Sequence, residues 1–289
     1  MQNLKISFIG GGNMAEALLA GLVRAGHAPG QLMVADVRVE RLDELKQAYG
    51  VCVTQNNAEA AMEADALLLA VKPQQMDVVL KSIAGKIGKG TTVISIAAGI
   101  GIKHLREGLG DEVCLVRVMP NTPCLVGAGM SVLFCDAGKD HCARAEYILD
   151  SSGKTAWVDD EDMLHAVTAI SGSGPAYFFL LAELMQATAH ALGLPKELSG
   201  VLVTQTALGA GRMLVESGKT AEELRQQVTS SGGTTQAALE AMFEGNMPDA
   251  VRAAITAAAK RSKAMALPLT HKPCHRTLAH GPDQGAGHS

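Results

Sequence analysis

The sequence predicts an α/β protein in which a parallel sheet covered by helices is followed by an all-helical part. Short apolar runs alternate with helix-length amphipathic stretches up to about residue 135, whereas no strand pattern follows residue 160. The composition agrees with this, because 47% of the 289 residues are hydrophobic but only 3% are aromatic. Such a core has to be built from the aliphatic side chains that pack helices onto a sheet.

The first 135 residues contain five strand candidates separated by helix candidates. The run Ala-Leu-Leu-Leu-Ala-Val at 66–71 is continuously apolar, which is typical of a strand buried on both faces. The alternation predicts βαβ units. The predicted strands are 4–9, 32–35, 66–71, 92–96 and 113–118, with helices at 14–25, 40–49, 76–87 and 103–109. Residues 130–134 and 155–158 have weaker strand patterns and are expected to extend one edge of the sheet.

The rest of the chain to residue 265 has the periodicity of helices. We predict helices at 176–192, 196–217, 221–228, 235–243 and 248–265, with starts near Ser199, Thr220 and Asp249 and ends near Gly193, Gly218 and Gly245. Because the strands stop near residues 159–162, we expect domains at 1–160 and 161–266. Residues 267–289 are rich in His, Pro and Gly and are expected to form a flexible tail.

Charge and hydropathy exclude several classes of function. A formal net charge of −4 offers no basic footprint for nucleic acid. No uninterrupted apolar run approaches the roughly 18 residues of a membrane span, and no signal-peptide core precedes Gly10. The six cysteines lack CxxC spacing, which favours reduced thiols over a disulfide framework. We therefore expect a cytoplasmic protein without a membrane or nucleic-acid partner.

Residues 10–15 have the pattern of a dinucleotide-binding turn. Gly-Gly-Gly-Asn-Met-Ala follows the first strand and begins a helix, which matches G-x-G-x-x-A. In such turns the glycines permit a tight bend and a close approach of backbone amides to a pyrophosphate, and the helix N-terminus adds positive potential. The sequence predicts a Rossmann-type domain whose pyrophosphate site is Gly10, Gly11, Gly12, Asn13 and Met14.

The residues after the second strand leave the choice of cofactor open. Asp36 at the end of the strand would bind the ribose hydroxyls and repel a 2′-phosphate, which favours NADH. Arg38 and Arg41 just beyond it would bind that phosphate and favour NADPH, unless they only mark an exposed helix start.

Four further segments resemble the pyrroline-5-carboxylate reductase family in order and spacing. The resemblance extends over about residues 4–265, and its most specific part is Thr-Ser-Ser-Gly-Gly-Thr-Thr at 229–235, ahead of a helix. Glycine-rich turns occur in many unrelated enzymes and add little alone. The four segments are Ala-Val-Lys-Pro at 70–73, Arg-Val-Met-Pro-Asn-Thr-Pro at 117–123, Ser-Gly-Ser-Gly-Pro-Ala-Tyr at 171–177, and residues 228–235.

The resemblance implies a Rossmann domain followed by an all-helical C-terminal dimerisation domain that interlocks with a second subunit. It implies a homodimer or an assembly of dimers that reduces 1-pyrroline-5-carboxylate to L-proline in the last step of proline biosynthesis. NADPH is the implied cofactor and NADH the alternative, although Asp36 departs from the small polar residue of many NADPH-preferring members. The implied cofactor residues beyond the turn are Asp36, Arg38, Asn57, Val71, Lys72, Pro73 and, at the nicotinamide end, Ala98, and the implied substrate residues are Ser230, Gly233, Thr234 and Thr235.

Without the resemblance, residues 229–235 have two interpretations. Gly232 and Gly233 between hydroxyl residues could form an anion-binding nest for a carboxylate. Alternatively, Thr234 or Thr235 is only the N-cap of the next helix. The small residues at 171–176 likewise permit either close approach of a cofactor ring or tight packing between domains.

No metal site is expected. The isolated histidines lack carboxylate or cysteine partners at ligand spacing, and the tail histidines lack a second cysteine pair. Lys72 is expected to be a loop residue rather than a proton donor. The isolated histidines are His104, His141, His165 and His190, and the tail group is His271, Cys274, His275 and His280.

Thr235 is the catalytic candidate. A cyclic imine binds partly as the electrophilic iminium, so the enzyme needs orientation more than a strong acid. The Thr235 hydroxyl would contact the ring nitrogen, while the Gly233 and Thr234 amides and Ser230 hold the carboxylate. One alternative is a β-hydroxyacid dehydrogenase, whose catalytic lysine would fall at Phe178. The other is a dinucleotide-binding sensor without turnover, which would need no anion nest.

Overall fold

The computed structural model describes residues 1, 3–136 and 138–266 and confirms the predicted α/β fold class. The strands are β1 (Ile6–Ile9), β2 (Leu32–Ala35), β3 (Cys52–Thr54), β4 (Ala66–Leu69), β5 (Thr92–Ser95), β6 (Cys114–Met119), β7 (Gly129–Cys135) and β8 (Gly153–Trp157). They form one sheet in the order β3-β2-β1-β4-β5-β6-β7-β8. Among the described strands, only the β6–β7 pair is antiparallel. The two weak strand patterns form β7 and β8, which extend one edge of the sheet, as predicted.

Helices cover the sheet, and after the last strand the chain is helical. Those of the sheet part are α1 (Asn13–Arg24), α2 (Val39–Tyr49), α3 (Asn57–Met62), α4 (Met76–Ile83), α5 (Ile102–Leu109) and α6 (Lys139–Asp150). The helical part comprises α7 (Met163–Val167), α8 (Gly174–Ala191), α9 (Lys196–Glu216), α10 (Ala221–Gln227), α11 (Thr234–Glu244) and α12 (Met247–Ala266), with a π-helical turn, Thr168–Gly172, between α7 and α8. Along residues 161–266, which are all described, no strand occurs, as predicted.

The apolar core lies on both faces of the sheet. Leu68 of β4 packs in the cluster that contains Phe8 and Leu18, whereas Leu69 packs in the cluster that contains Met76. Successive side chains of a strand point to opposite faces, so a continuously apolar strand is what two helical layers require. The prediction of a doubly buried strand is confirmed for residues 66–69, whereas residues 70 and 71 lie beyond the strand and are half-buried.

The prediction from the sequence did not include β3, α3, α6 or α7. The first is a three-residue edge strand, and α6 begins with Lys-Asp-His-Cys, whose charge obscures its apolar face. Thr220 is an N-cap, as predicted, and forms a capping box with Glu223. Ser199 and Asp249 are not caps, because α9 and α12 begin two or more residues before them. Inside α9, the Ser199 hydroxyl donates instead to the Pro195 carbonyl at 3.0 Å.

The helical part of a single chain buries very little apolar surface. Between residues 174 and 266, Val203 and Leu224 are the only buried hydrophobic side chains. Phe178 and Phe179 of α8 are 69% and 67% exposed, and Val215 of α9 is 75% exposed. Large apolar side chains left in water across several helices indicate an interface, because a monomeric surface rarely carries so extensive a patch.

The lack of a long uninterrupted apolar run does not exclude long helices of moderate hydropathy. Two helical stretches, Met163–Ala191 and Lys196–Glu216, are long and apolar enough to cross a membrane by length and composition. A mean hydropathy of 1.2 can be reached by a segment with scattered polar residues, whereas a search for uninterrupted apolar runs excludes such a segment. Core helices of soluble proteins and signal sequences meet the same criteria, so this observation is weak evidence for a membrane span.

Candidate functional site

The glycine turn lies at the carboxyl end of β1, between β2 and β4. Gly10 has φ +97°, and a Cβ there would lie 2.6 Å from the Ala70 carbonyl oxygen. Its N–H donates to the Ala35 carbonyl at 2.7 Å, which ties the turn to β2. Gly12 is the N-cap of α1 and brings no side-chain cap, and a Cβ on it would meet no atom within 4 Å. The helix therefore begins with amides that no side chain caps, and such amides are available to a pyrophosphate.

Asp36 directly after β2 is held by the turn and by Arg38. Its carboxylate accepts hydrogen bonds from the Gly11 N–H at 2.8 Å and the Arg38 N–H at 3.0 Å. The Arg38 guanidinium adds two more. Burial of the carboxyl opposes ionisation, but the hydrogen bonds from Arg38 and Gly11 outweigh it and lower the pKa of Asp36 to about 2.

The two arginines differ in their availability. The Arg38 side chain is 58% exposed, whereas that of Arg41 is 18% exposed. Arg41 pairs with Glu16 and Glu44 and donates from Nε to the Gly11 carbonyl at 2.7 Å. Arg41 is thus part of the support beneath the turn, and Arg38 is the one with a free surface.

The remaining predicted cofactor residues also follow strand ends or begin helices. Val71, Lys72 and Pro73 follow β4, and Lys72 is exposed at the start of a 3₁₀ turn. Ala98 lies in the β5–α5 loop. Asn57 is the first residue of α3, and its side-chain amide donates to the Ser82 hydroxyl at 3.1 Å. The carboxyl ends of β1, β2, β4 and β5 thus share one edge, where parallel sheets bind dinucleotides.

A cavity of about 150 Å³ lies where this edge meets the helical part. Ala98 and Gly99 line one side, the π-helical turn and the start of α8 contribute Thr168 and Ser173, and α12 contributes Arg261. Gly99 allows α12 to approach, since a Cβ there would lie 3.3 Å from the Met265 carbonyl oxygen. The predicted nicotinamide end therefore faces the helical part rather than open solvent.

Sequence reasoning gave no role to Arg117 and Asn121, although both lie in a segment that carried the resemblance. Arg117 is buried and pairs with Glu161 at 2.8 Å. The Asn121 side chain donates to the Ser171 carbonyl at 3.0 Å and accepts from the Met130 N–H at 2.8 Å. Both residues fasten the sheet to the helical part. A buried arginine inside a strand was the available signal, because such a charge needs a partner.

The segment at 229–235 begins α11, but neither threonine caps it. Gly233 is the N-cap and has no side-chain cap, so the interpretation of Thr234 or Thr235 as a cap was wrong. The Gly233 N–H donates to the Ser230 carbonyl at 3.1 Å, and the Gly232 N–H donates to the Gln236 side chain at 2.8 Å. The amides of Thr234 and Thr235, in the first turn of the helix, have no partner within it.

Within one chain, the structure does not join this segment to the glycine turn. Among the hydrogen bonds of the described residues, none connects residues 229–235 to the sheet part. Ser230 is exposed, and a Cβ on residue 233 would lie 2.5 Å from its hydroxyl, so any other residue there would require the Ser230 side chain to turn away. Within the described part of one chain, no hydrogen bond therefore links the predicted substrate residues to the predicted cofactor residues.

The described residues contain no group of three or more potential metal ligands. The histidines named above have ordinary partners: His104 contacts Asp77 at 2.7 Å, His141 contacts Thr92 at 2.8 Å, and His165 contacts Ser262 at 2.9 Å. The carboxylate beside His104 was not foreseen, because 27 residues separate the pair. The tail group at 271–280 lies outside the described residues.

Two family models match the chain. Residues 161–265 match pyrroline-5-carboxylate reductase dimerisation, and residues 5–99 match the coenzyme F420-dependent NADP oxidoreductase family. A pyrroline-5-carboxylate reductase of Vibrio alginolyticus is 44% identical over 269 residues, which is 92% of this chain and 98% of the relative. The enzyme of the same name from Pseudomonas aeruginosa is 40% identical over 268 residues, with the same coverage.

Solved structures agree with these relatives. A pyrroline-5-carboxylate reductase from Coxiella burnetii, 40% identical, superposes with a TM-score of 0.87 over 91% of this chain and 99% of that one. A Plasmodium falciparum pyrroline carboxylate reductase with NADP bound, 32% identical, gives 0.82 over 92% and 99%. A ketol-acid reductoisomerase at 13% identity and 0.64 shares only the fold.

Proposed function

Because the chain belongs to the pyrroline-5-carboxylate reductase family, we propose that it reduces 1-pyrroline-5-carboxylate to L-proline with NADPH, in the last step of proline biosynthesis. The observation that carries this is the 44% identity to a reductase of that name, spread over 98% of its length. The glycine turn and the uncapped start of α11 supply the two kinds of anion site that a dinucleotide and a carboxylate need.

The residues of the sheet edge fit a dinucleotide. A side chain at residue 10 would collide with the Ala70 carbonyl, so the backbone forms a cradle that only glycine permits. We place the pyrophosphate on the amides that follow Gly12 and the 2′-phosphate of NADPH on Arg38. When bound, the cofactor supplies the hydride. Asn57, Val71, Lys72 and Pro73 would line the adenosine side, and Ala98 the nicotinamide end. NADH remains an alternative cofactor.

The substrate residues would bind and orient the ring. We assign the carboxylate to the amide of Thr234 and the hydroxyl of Ser230, helped by the positive end of α11. The Gly233 amide belongs to this group only if it releases the Ser230 carbonyl. The Thr235 hydroxyl would hydrogen-bond the ring nitrogen as that nitrogen becomes a secondary amine. Catalysis would then rest on alignment with the nicotinamide.

The helical part makes the protein a homo-oligomer, and we propose that its basic unit is a homodimer. The family model for dimerisation covers residues 161–265, and the exposed apolar side chains lie in the same region. We further propose that residues 1–160 and 161–266 are the two domains. The two membrane-length helices would then be interface helices of a cytoplasmic protein with neither a membrane nor a nucleic-acid partner. Sedimentation at submicromolar concentration should show no monomer, and Phe178→Asp should release monomers.

One assay tests the assignment. We would follow oxidation of NADPH and of NADH with racemic pyrroline-5-carboxylate, and the reverse reaction with 3-hydroxy acids. We expect turnover only with the imine. The dehydrogenase alternative requires turnover with a hydroxy acid, although Phe178 stands where its lysine would act. A folded protein that binds cofactor but oxidises none would favour the sensor.

A further inference from the structure

Glu161 lies between β8 and α7, where the sheet part ends and the helical part begins. Its Oε1 atom accepts two hydrogen bonds, one from Nη1 of Arg117 and one from the backbone N–H of Ile102, both at 2.8 Å. Arg117 is on β6, an interior strand of the sheet, and its side chain is 7% exposed. A single carboxylate oxygen therefore joins a strand, the start of α5 and the start of the helical part.

The hydrogen bond from the Ile102 N–H to Glu161 caps the start of α5. Gly101 is the N-cap of α5 and brings no side-chain hydrogen bond of its own. Glu161 supplies the missing cap, although 59 residues separate it from Ile102 in the sequence. A Cβ on Gly101 would lie 3.3 Å from the Glu161 Oε1 atom. A carboxylate is also favoured at a helix N-terminus by the helix dipole, and Arg117 balances its charge.

The cap fixes one end of the β5–α5 loop, residues 96–101. At the other end, the Ile96 N–H donates to the Leu69 carbonyl at 3.2 Å, and the Ala97 N–H contacts the Ser95 hydroxyl at 3.4 Å. Between these two anchors lie Ala98 and Gly99, which line the cavity facing α12. Ile100 and Ile102 also pack against the apolar core, and Glu161 adds a polar contact that ties this end of the loop to the start of the helical part.

We infer that Glu161 is a positioning residue for hydride transfer: it holds the β5–α5 loop, and with it the nicotinamide end of the cofactor, in register with the helical part. This rests on the proposed function, which places the nicotinamide at Ala98. Glu161 does not line the cavity beside Ala98 and would act through the backbone at Ile102. Small displacements of reacting groups can lower a rate by about 100-fold, so a loosened loop has a measurable effect.

The first readout needs no cofactor. Removal of the acceptor in Glu161→Ala should accelerate hydrogen exchange at the Ile102 amide by about tenfold, the equivalent of one hydrogen bond. Glu161→Gln keeps an acceptor oxygen and should restore most of the protection. Asp159→Asn is the matched control, because Asp159 is an exposed carboxylate of the same linker. Unchanged exchange at Ile102 in Glu161→Ala would overturn the inference.

Ligand binding and kinetics test whether the loss of the Glu161 contact affects the nicotinamide end of the cofactor. Glu161→Ala should bind adenosine 2′,5′-bisphosphate, which lacks nicotinamide, within about twofold of the parent, but NADP⁺ at least about threefold more weakly. Its kcat should fall about tenfold or more, with a larger deuterium isotope effect from 4-deuterated NADPH, since hydride transfer becomes slower than product release. A partly unfolded enzyme would lose kcat without changing the isotope effect, and that result would also overturn the inference.

The variants keep the test decisive. If Glu161→Ala fails to fold because Arg117 is left buried without its partner, the double variant Arg117→Met with Glu161→Ala removes both charges and carries the same measurements. If the parent shows no turnover with pyrroline-5-carboxylate, the proposed function fails. The comparison of NADP⁺ with adenosine 2′,5′-bisphosphate then still decides whether Glu161 positions the nicotinamide end.

Discussion

The guanidinium of Arg38 donates one hydrogen bond to each carboxylate oxygen of Asp36, from Nε to Oδ1 at 3.0 Å and from Nη2 to Oδ2 at 2.9 Å. From the sequence alone, Asp36 favours NADH and Arg38 favours NADPH. In the structure they form one ion pair, so the charge of Asp36 is offset by the residue that would bind the 2′-phosphate. An offset charge of this kind is consistent with use of both cofactors.

We predict that Asp36→Ser raises the preference for NADPH over NADH. The change removes a negative charge beside the phosphate site and leaves Arg38 with its full charge. A shift of about tenfold in the ratio of kcat/KM values corresponds to ~1.4 kcal/mol. Arg38→Met is the opposing control and should lower the same ratio. If Asp36→Ser leaves the ratio unchanged, Asp36 does not face the ribose.

Thr235→Val should impair catalysis while the affinity for cofactor stays near normal. The substitution keeps the shape and the β-branching but removes the hydroxyl that we place against the ring nitrogen. One neutral hydrogen bond is worth about 0.5–1.5 kcal/mol, so turnover should fall by up to about tenfold. Thr235→Ser should retain most activity. A Thr235→Val enzyme that turns over like the parent would assign the nitrogen to another partner.

Ser230→Ala should raise the substrate KM more than it lowers kcat, because the carboxylate is held equally before and during reaction.

Stability should decline as the pH falls from 7.5 to 5.5. Burial lowers the pKa of three histidines, His27, His141 and His165, in the folded state. The fold therefore favours their neutral forms, and the unfolded chain takes up protons first, near pH 6.5. Their contribution is complete above that pH and is lost as the pH falls toward the lowered values. Asp36, with a pKa of about 2, does not titrate in this window.

The urea midpoint at several pH values measures this effect. His165→Gln should flatten the decline, whereas His190→Gln, at an exposed position, should leave the slope unchanged. An equally steep decline in His165→Gln would mean that the other two histidines account for it.

Deletion of residues 267–289 should leave turnover and oligomeric state unchanged. The prediction comes from the lack of apolar periodicity in that segment, which lies outside the described residues. A longer deletion, from residue 261, is the control. It removes Arg261, Ser262 and Met265, which line the cavity at the domain junction, and should reduce activity. A marked loss on deleting only residues 267–289 would mean that they dock onto the body of the protein.

Much of the sheet could be predicted because its signals are local. The strand at Leu32–Ala35 was predicted to the residue, since four consecutive side chains fix its pattern. The glycine turn was equally readable. Interactions between distant residues could not be predicted: 44 residues separate Arg117 from Glu161, and 97 separate His165 from Ser262. Nor could the sequence choose between Arg38 and Arg41, because only the fold places Glu16 beside Arg41.

The near absence of buried apolar side chains in α8–α12 bears on how the protein reaches its native state. The sheet part carries its own core and can form in a first-order step. If the helical part completes its core only against a second copy, its folding is bimolecular, and its rate rises with subunit concentration. Freshly synthesised chains that have not met a partner would present Phe178, Phe179 and their neighbours to chaperones and to aggregation. Supply of subunits, as much as the stability of the sheet, would then limit the yield of active enzyme.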